Sequence, residues 1–182
     1  MNFTPISDAC FSECGKYRHW LMRQWGPPES GIMGCFVGKN PSVAGRENND
    51  ATMHREIAFA KSWGWRGLLK VNLFDWIATD SDELINLGSK AVSEDGLVVD
   101  VIGYIKRFDC RQVVCVWGTH SNRGLRQLIQ ERGQLMERKL KEAGLPPYAL
   151  VINRGDGTPK HTLYLNPTLK PELIEILRKR VQ

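Results

Sequence analysis

Three short segments of the sequence lie where an apolar run ends, and a fourth ends the loop that follows another such run. They read GKNPS (residues 38–42), VNLF (71–74), VWGTH (116–120) and PKH (159–161). Their carboxamide, imidazole, ammonium and hydroxyl groups donate or accept hydrogen bonds, and the lysines add positive charge. Each polar or aromatic side chain in these segments is therefore a candidate for a functional site.

Two kinds of chemistry find little support in the sequence. A phosphohydrolase that uses two metal ions needs clustered carboxylates, and none of the four segments carries such a cluster. Cys10, Cys14 and Cys110 lack the short spacings of a zinc or iron–sulfur site, while Cys35 and Cys115 lie inside apolar runs, where a thiol packs as a small hydrophobe. We expect no metal and no cofactor, and free thiols suit a reducing compartment.

The apolar runs predict strands that alternate with helices. Runs bounded by glycine, proline or polar residues predict four buried strands, at residues 31–37, 67–72, 112–117 and 147–152. Residues 163–165 predict a short fifth strand. Residues 17–25 fit either a helix or a strand, and we favour an edge hairpin packed beside the first strand.

Helical spacing and capping residues predict four helices between and after these strands. The first is capped by Asp50 and stopped by Gly64, and the second spans about residues 97–105. The third begins at Ser121 or Asn122 and runs towards Ala143, and the last begins after Thr168 with Pro171 in its first turn.

Alternating strands and helices are typical of an α/β fold. We predict one domain, residues 1–182, with three α/β/α layers around a mostly parallel central sheet. Ligands of open α/β sheets bind at the carboxyl ends of the strands. All four polar segments are expected at that edge.

The chain resembles a family without an assigned activity. The motifs that carry this resemblance include CGKYR (residues 14–18), GKNPSVA (38–44), FAKSWG (59–64), VNLF, WG (117–118) and GTPKHTLY (157–164). Over nearly the whole chain they are similar to the domain of unknown function family numbered 1643, which is found in bacteria and phages.

A more distant resemblance implies a chemistry. The GKNPS, VNLF, VWG and KHTL motifs, in this order and at strand ends, are similar to motifs of the uracil-DNA glycosylase superfamily. That resemblance implies the glycosylase fold and hydrolysis of the N-glycosidic bond of a damaged or modified base. Such an enzyme must pull the base out of the stack, place a water and stabilise the anionic departing base.

The glycosylase resemblance implies roles for residues of the first two motifs. Asn40, flanked by Gly38 and Pro41, matches the position that holds the water; the fastest uracil enzymes carry a carboxylate there. Asn72 matches the residue that reads the base, because a carboxamide offers both a donor and an acceptor. The alternative is an amide that satisfies backbone groups at a strand end. Phe74 either stacks on the base or fills the core.

The later motifs supply a hydrogen-bond donor and contacts to nucleic acid. His161 matches the histidine that donates to the base oxygen in the transition state, although a lone loop histidine is often only a surface residue. Trp117 is a candidate wall of the pocket, and Lys160 a phosphate contact. The wedge loop of the glycosylases is replaced by residues 162–164, where Tyr164 is a candidate nucleic-acid contact.

Other polar residues near these motifs have less specific roles. Ser42, with the backbone N–H groups around it, is a candidate to hold a phosphate or shape the pocket floor. His120 and Arg123 are candidate contacts to a nucleic-acid backbone, or simply the surface of a helix start. Asp50, Thr52 and Arg55 belong to the pattern of the unknown-function family; Arg55 could pair with Asp50 or with a ligand.

Two functions follow from these residues. The first is a glycosylase-like hydrolase acting on a base in DNA or on a free nucleotide. The second is a binding module on the same fold, which recognises nucleic acid or a nucleotide without cleaving it, since Asn40 replaces a carboxylate and the wedge loop is missing. The oligomeric state does not follow from the sequence.

The charge distribution favours a polyanionic partner. The 182 residues include 25 Lys and Arg against 20 Asp and Glu, a formal net charge of +5. Residues 1–100 hold 10 basic and 13 acidic side chains, whereas residues 101–182 hold 15 and 7. A basic second half is expected to face DNA or a nucleotide.

The remaining composition predicts a cytoplasmic globular protein. The longest apolar run, residues 113–117, is far shorter than the roughly 20 residues that cross a bilayer, so we expect no membrane partner. The first residues lack a basic segment followed by an apolar one, so no secretory signal is expected.

Overall fold

A seven-stranded sheet forms the centre of the computed structural model, which describes residues 3–181, apart from the side chains at positions 95 and 99. Its strands lie in the spatial order β1-β2-β4-β3-β5-β6-β7. In chain order they are β1 (Ile6–Phe11), β2 (Arg18–Gln24), β3 (Met33–Gly38), β4 (Gly67–Asn72), β5 (Cys110–Cys115), β6 (Pro147–Ala149) and β7 (Glu172–Leu173).

The centre of the sheet is parallel and its two sides are antiparallel. Strands β4, β3, β5 and β6 pair in parallel, whereas β1 and β2 on one side and β7 on the other pair antiparallel. Every residue of β3 and β4 is buried, as expected for strands covered on both faces. The predicted α/β class with a parallel central sheet is confirmed.

Helices cover both faces of the sheet. The helices are α1 (Ala51–Ser62), α2 (Glu83–Leu87), α3 (Val98–Arg107), α4 (Arg123–Glu142) and α5 (Ile174–Val181). On one face, Met53 and Phe59 of α1 pack with Phe36 of β3. On the other face, apolar residues of α3, α4 and α5 pack against the opposite side of the same strands. No helix within residues 3–181 has the length and apolar character needed to cross a membrane.

The two helices that begin beside the polar loops are capped as predicted. The Asp50 carboxylate accepts a hydrogen bond from the Met53 N–H at 2.8 Å, and α1 follows. The Asn122 side chain accepts from the N–H groups of Gly124 and Leu125 at 2.9 and 3.1 Å, and α4 follows. These bonds satisfy N–H groups that have no partner inside the helix.

The strand register brings the predicted loops to one edge. Gly38 at the end of β3 lies beside Asn72 at the end of β4, and Val37 lies beside Cys115 at the end of β5. The loops that follow β3, β4 and β5 therefore leave the sheet together.

Predictions for the last forty residues were partly wrong. Residues 163–165 form a turn instead of a fifth strand, because Tyr164 has a φ of +67° and the Leu165 N–H bonds back to the Thr162 carbonyl. The last helix begins at Ile174, not after Thr168, because residues 172–173 pair with β6. Pro171 therefore lies outside α5. The predicted fourth strand, residues 147–152, ends at Ala149.

The placement of the N-terminal strands also differs from the prediction. Residues 18–24 form a single strand, β2, whose hairpin partner is β1. This hairpin lies at the edge of the sheet, but beside β4 instead of beside β3. The hairpin does not pair with β3, because β4 lies on one side of that strand and β5 on the other.

Candidate functional site

A pocket of about 330 Å³ opens at the carboxyl edge of the central strands. Its walls come from the loop after β3, the end of β4, the start of α1 and the loop that carries residue 161. Five residues predicted from the sequence line it: Gly38, Asn40, Ser42, Asn72 and His161. Its size is at the small end of the range for ligand pockets, roughly 300–1,000 Å³.

Gly38 lets two side chains of the neighbouring strand reach the pocket. A Cβ atom at Gly38 would lie 2.7 Å from Lys70 Nζ and 2.8 Å from Asn72 Oδ1, distances that real Cβ contacts do not reach. The missing side chain therefore creates the space in which Lys70 and Asn72 meet.

The amide of Asn72 is buried without a hydrogen-bond partner. Only 3% of the residue is exposed, and neither its Oδ1 nor its Nδ2 bonds to another described residue. Leaving a buried polar atom unpaired costs about 1–3 kcal/mol. Asn72 therefore does not satisfy backbone groups at the strand end, and its donor and acceptor are left unpaired beside the pocket that the residue lines.

Asn40 is held by the backbone around it. Its Nδ2 donates to the carbonyls of Ala78 at 2.8 Å and Pro41 at 3.0 Å. Pro41 is itself buried and accepts a further hydrogen bond from the Ala78 N–H. These bonds fix the amide of Asn40 and leave its Oδ1 able to accept a hydrogen bond.

His161 is a neutral hydrogen-bond donor at physiological pH. Burial lowers its pKa to about 4, and the positive charges of Lys70 and Lys39 contribute to the lowering. The Leu163 N–H donates to Nδ1 at 3.3 Å, so the ring proton lies on Nε2. Nε2 can therefore donate to a ligand without carrying a positive charge.

Lys70 brings a buried charge to the pocket. Its Nζ lies 2.5 Å from Glu56 Oε1, and both side chains are almost fully buried. Burial raises the pKa of Glu56, an effect that the ammonium group of Lys70 opposes. Glu56 Oε2 has no hydrogen-bond partner among the described residues. Lys70 was not predicted as a site residue, although a lysine inside the apolar segment GLLKVN was a signal that could have identified it.

Two further cations line the pocket. Arg18 is 2% exposed and donates from Nη1 to the Ala44 carbonyl at 2.5 Å; burial lowers its pKa to about 10, so it stays positive at pH 7. Lys39 donates to Ser81 Oγ at 2.9 Å, and burial lowers its pKa too. Lys70 is paired with Glu56, but Arg18 and Lys39 still outnumber Asp50, the carboxylate among the described lining residues. The pocket therefore favours a ligand that carries or develops negative charge.

A family comparison covers the elements that build this pocket. The family model described as "Protein of unknown function (DUF1643)" matches residues 18–163. The chain belongs to the DUF1643 family. The matched region contains every lining residue from Arg18 to His161 and ends before β7 and α5. No curated protein and no solved structure matches the chain.

Two aromatic residues predicted for the site lie in the core of this DUF1643 protein. Phe74 is 1% exposed and does not line the pocket; the guanidinium group of Arg132 lies 5.2 Å from the centre of its ring. Trp117 is also 1% exposed and packs against Gly133, where a Cβ would lie 2.9 Å from the indole ring. Trp117 does not line the pocket, but it borders a neighbouring depression that shares Lys39 and His161 with the pocket.

The predicted nucleic-acid contacts lie outside the pocket. Lys160 and His120 line a neighbouring groove, and His120 Nε2 lies 3.6 Å from Asp82 Oδ1. Tyr164 is 94% exposed, and Arg123 is exposed in the first turn of α4. The structure thus separates the predicted base-binding residues from the predicted nucleic-acid contacts.

Of the three residues that belong to the DUF1643 pattern, two line the pocket and one does not. Asp50 and Thr52, at the start of α1, line the pocket. Arg55 turns away from it, stacks on Phe59 at 4.9 Å and donates to the Leu165 carbonyl. Arg55 therefore ties α1 to the turn that follows His161. Across the described residues 3–181, no three His, Cys, Asp or Glu side chains lie close enough to hold a metal ion.

Proposed function

We propose that the pocket binds an unpaired nucleobase and hydrolyses its N-glycosidic bond. The observation that carries this proposal is the meeting of Asn40, Asn72 and His161 in one polar pocket, where the buried amide of Asn72 lacks a partner. The motif resemblance to the uracil-DNA glycosylase superfamily supports it, because these three residues are the ones that match the water, base and oxygen positions of that superfamily.

Asn72 would recognise the base. Its Oδ1 accepts a hydrogen bond and its Nδ2 donates one, so the amide complements a ring N–H beside a carbonyl, as on the edge of a pyrimidine such as uracil. A base that forms both bonds removes the cost of the unpaired amide. A base without that pattern would leave at least one amide atom of Asn72 unpaired and is expected to bind poorly.

His161, Lys70 and Lys39 would stabilise the departing base. The C1′–N bond breaks and its electron pair moves to the base, while the sugar develops oxocarbenium character. Nε2–H of neutral His161 would donate to the base oxygen that gains this charge, and the two ammonium groups add positive potential.

Asn40 would hold the attacking water. Its fixed amide presents Oδ1 as an acceptor for a water O–H. The water oxygen bonds to C1′, its proton passes to solvent, and the released base takes a proton. Because an amide does not remove protons, Asn40 only positions the water, and stabilisation of the leaving base contributes most of the acceleration.

The test is an excision assay on labelled oligonucleotides that carry uracil or a modified pyrimidine. Alkali cleaves each abasic site, so strand breaks report base removal. We expect wild-type activity on at least one base, and a loss of about 100-fold or more with His161→Ala, since deleting one donor to developing negative charge has effects of this size. If a control glycosylase is active in the same assay and this protein produces no strand breaks with any base, the proposal is overturned.

A non-catalytic binding module is the second candidate. The observation in its favour is that no carboxylate stands at position 40, and that Asp50, the carboxylate lining the pocket, accepts a hydrogen bond from Met53 as the α1 cap. Here Asn72→Ala would abolish nucleotide binding, Asn40→Ala would leave it unchanged, and no base would be released. The excision and binding assays together separate the two functions.

A further inference from the structure

A second, larger concavity lies at the same edge of the sheet as the pocket. This groove has a volume of about 880 Å³ and is built from the segments after β5 and β6 and from α5. Its border carries four cationic side chains, namely Arg126, Arg154, Lys160 and Arg180. The residues of the groove take no part in the proposed base chemistry.

The groove and the pocket both adjoin a third concavity. This depression of about 400 Å³ shares Lys39 and His161 with the pocket. The same depression shares Thr119, Asn153 and Lys160 with the groove. The three concavities therefore lie side by side along the edge of the sheet.

Positive charge in the groove is only partly neutralised within the protein. Asp156, the carboxylate among the described groove residues, accepts hydrogen bonds from Thr119 and Thr158. Arg180 pairs with Glu172 at 2.7 Å. Arg154 and Lys160 are exposed, and neither forms an ion pair with a carboxylate of the described residues. These two cations are available to an anionic ligand.

The groove also has an apolar floor. Leu150 and Ile152 are each only 3% exposed beneath it, and Leu177 and Val181 of α5 are half-buried at its side. At the depression, the ring of Tyr164 is 94% exposed. A ligand with both phosphates and exposed ring faces fits this combination of charge and apolar surface.

We propose that pocket, depression and groove form one track for single-stranded nucleic acid. The track rests on the proposed function, because the strand would place one base in the pocket and its neighbours along the depression and groove. A duplex hides its base faces by stacking, whereas a single strand offers them to Tyr164 and to the apolar floor. A single strand also supplies an unpaired base without the cost of extrusion.

Fluorescence anisotropy with labelled oligothymidylates of 4 and 12 nucleotides tests the track. We expect the 12-mer to bind at least 10-fold more tightly than the 4-mer and more tightly than a 12-base-pair duplex, with affinity that falls as salt rises. Arg154→Ala/Lys160→Ala should weaken 12-mer binding about 10-fold and reduce the salt slope by about 1.4, because each phosphate contact to a single strand contributes about 0.7. Tyr164→Ala should weaken it at least about 5-fold.

Lys106→Ala/Arg107→Ala is the matched control. It removes the same charge from exposed residues at the end of α3, at the opposite edge of the sheet. We expect this variant to bind the 12-mer like the wild type. An equal loss in both double variants, tighter binding of duplex, or equal competition by an acidic peptide of the same charge would overturn the track.

Failure of the track and failure of the proposed function give different results. If thymidine monophosphate binds and base is released but affinity does not grow with strand length, the track is wrong and the pocket function stands. If the 12-mer binds with the expected salt slope while no base is ever released, hydrolysis is wrong and the track stands.

Discussion

The amide of Asn72 is buried without a hydrogen-bond partner, a state that costs free energy in the folded protein. His161 is held neutral by burial and by two neighbouring ammonium groups. The amide of Asn72 is thus kept in a state that water would not favour, whereas His161 keeps below pH 6.5 the neutral form that it also has in water near pH 7. In the proposed function, the bonds that a base makes to Asn72 offset the cost of its unpaired amide.

Asn72→Leu separates a ligand-binding role from a structural one. Removing two unpartnered amide atoms and keeping a side chain of similar size should leave stability unchanged or raise it by about 1 kcal/mol, while base binding is lost. Urea unfolding and nucleotide titration measure the two effects. Destabilisation by 1 kcal/mol or more would instead indicate that Asn72 supports the fold.

His161 should remain neutral well below the usual titration range of histidine. Its pKa of about 4 lies below the ordinary value of 6.5, so the unfolded chain binds this proton more readily than the folded one. Stability attributable to His161 is therefore complete above pH 6.5 and falls as the pH drops towards 4. At pH 5 the loss relative to His161→Gln should be about 1–2 kcal/mol.

Two-bond ¹H–¹⁵N spectra measure the same property directly. The His161 ring should show the Nε2–H tautomer and no titration above pH 5. The exposed ring of His54 is the internal reference for assigning these spectra. Titration of His161 near pH 6.5 would contradict its assignment as a neutral donor.

At the scale of elements, the alignment of β3 and β4 creates the pocket. Gly38 ends β3 opposite Asn72, and its missing side chain leaves room for Lys70 and Asn72. Gly38→Ala should therefore destabilise the protein by about 1–3 kcal/mol and reduce base binding. Gly103→Ala in α3 is the matched control, because a Cβ there meets no atom within 4 Å; urea unfolding should show it stabilised by up to about 1 kcal/mol.

The ion pair between β4 and α1 offers a second prediction at this scale. Lys70→Met leaves the fully buried carboxylate of Glu56 without its partner, which should cost about 3–5 kcal/mol. Lys70→Met/Glu56→Met removes both charges and should restore most of the loss. Thermal or urea unfolding measures both variants. A single variant as stable as the wild type would mean that the pair contributes little.

Elements marked by local sequence signals could be predicted, and elements defined by tertiary pairing could not. Strand β4 was predicted at its observed bounds, because a glycine and an asparagine flank its apolar run, and α1 and α4 follow the capping residues Asp50 and Asn122. The two-residue β7 exists only through its pairing with β6. Tyr164 adopts a positive φ that its side chain does not predict.

The same division applies to the candidate site. Asn40, Asn72 and His161 lie at loop positions that the fold class identifies, and they line one pocket. Lys70 and Arg18 line it from within strands, where burial against a distant helix or loop decides their role. The sequence does not show whether Phe74 stacks on a base or fills the core, since its packing against Arg132 depends on the position of α4.

At the scale of the whole molecule, the structure shows where part of the positive charge of the second half lies. The basic second half contributes Arg126, Arg154, Lys160 and Arg180 to the groove beside the pocket. The net charge of +5 alone indicates only a mildly basic protein. The four cations that line the groove, where the parallel strands end, are the basis for proposing an anionic polymer as the partner.

Direct detection of a released base tests the central claim most closely. The protein is incubated with single-stranded oligonucleotides that carry uracil or modified pyrimidines, and free base is quantified by mass spectrometry beside Asn72→Leu and the Lys106→Ala/Arg107→Ala control. We expect release of at least one base by the wild type and the control, and none by Asn72→Leu. Release that Asn72→Leu leaves unchanged, or no release of any base by the wild type, would contradict a base-hydrolysing pocket at Asn72 and His161.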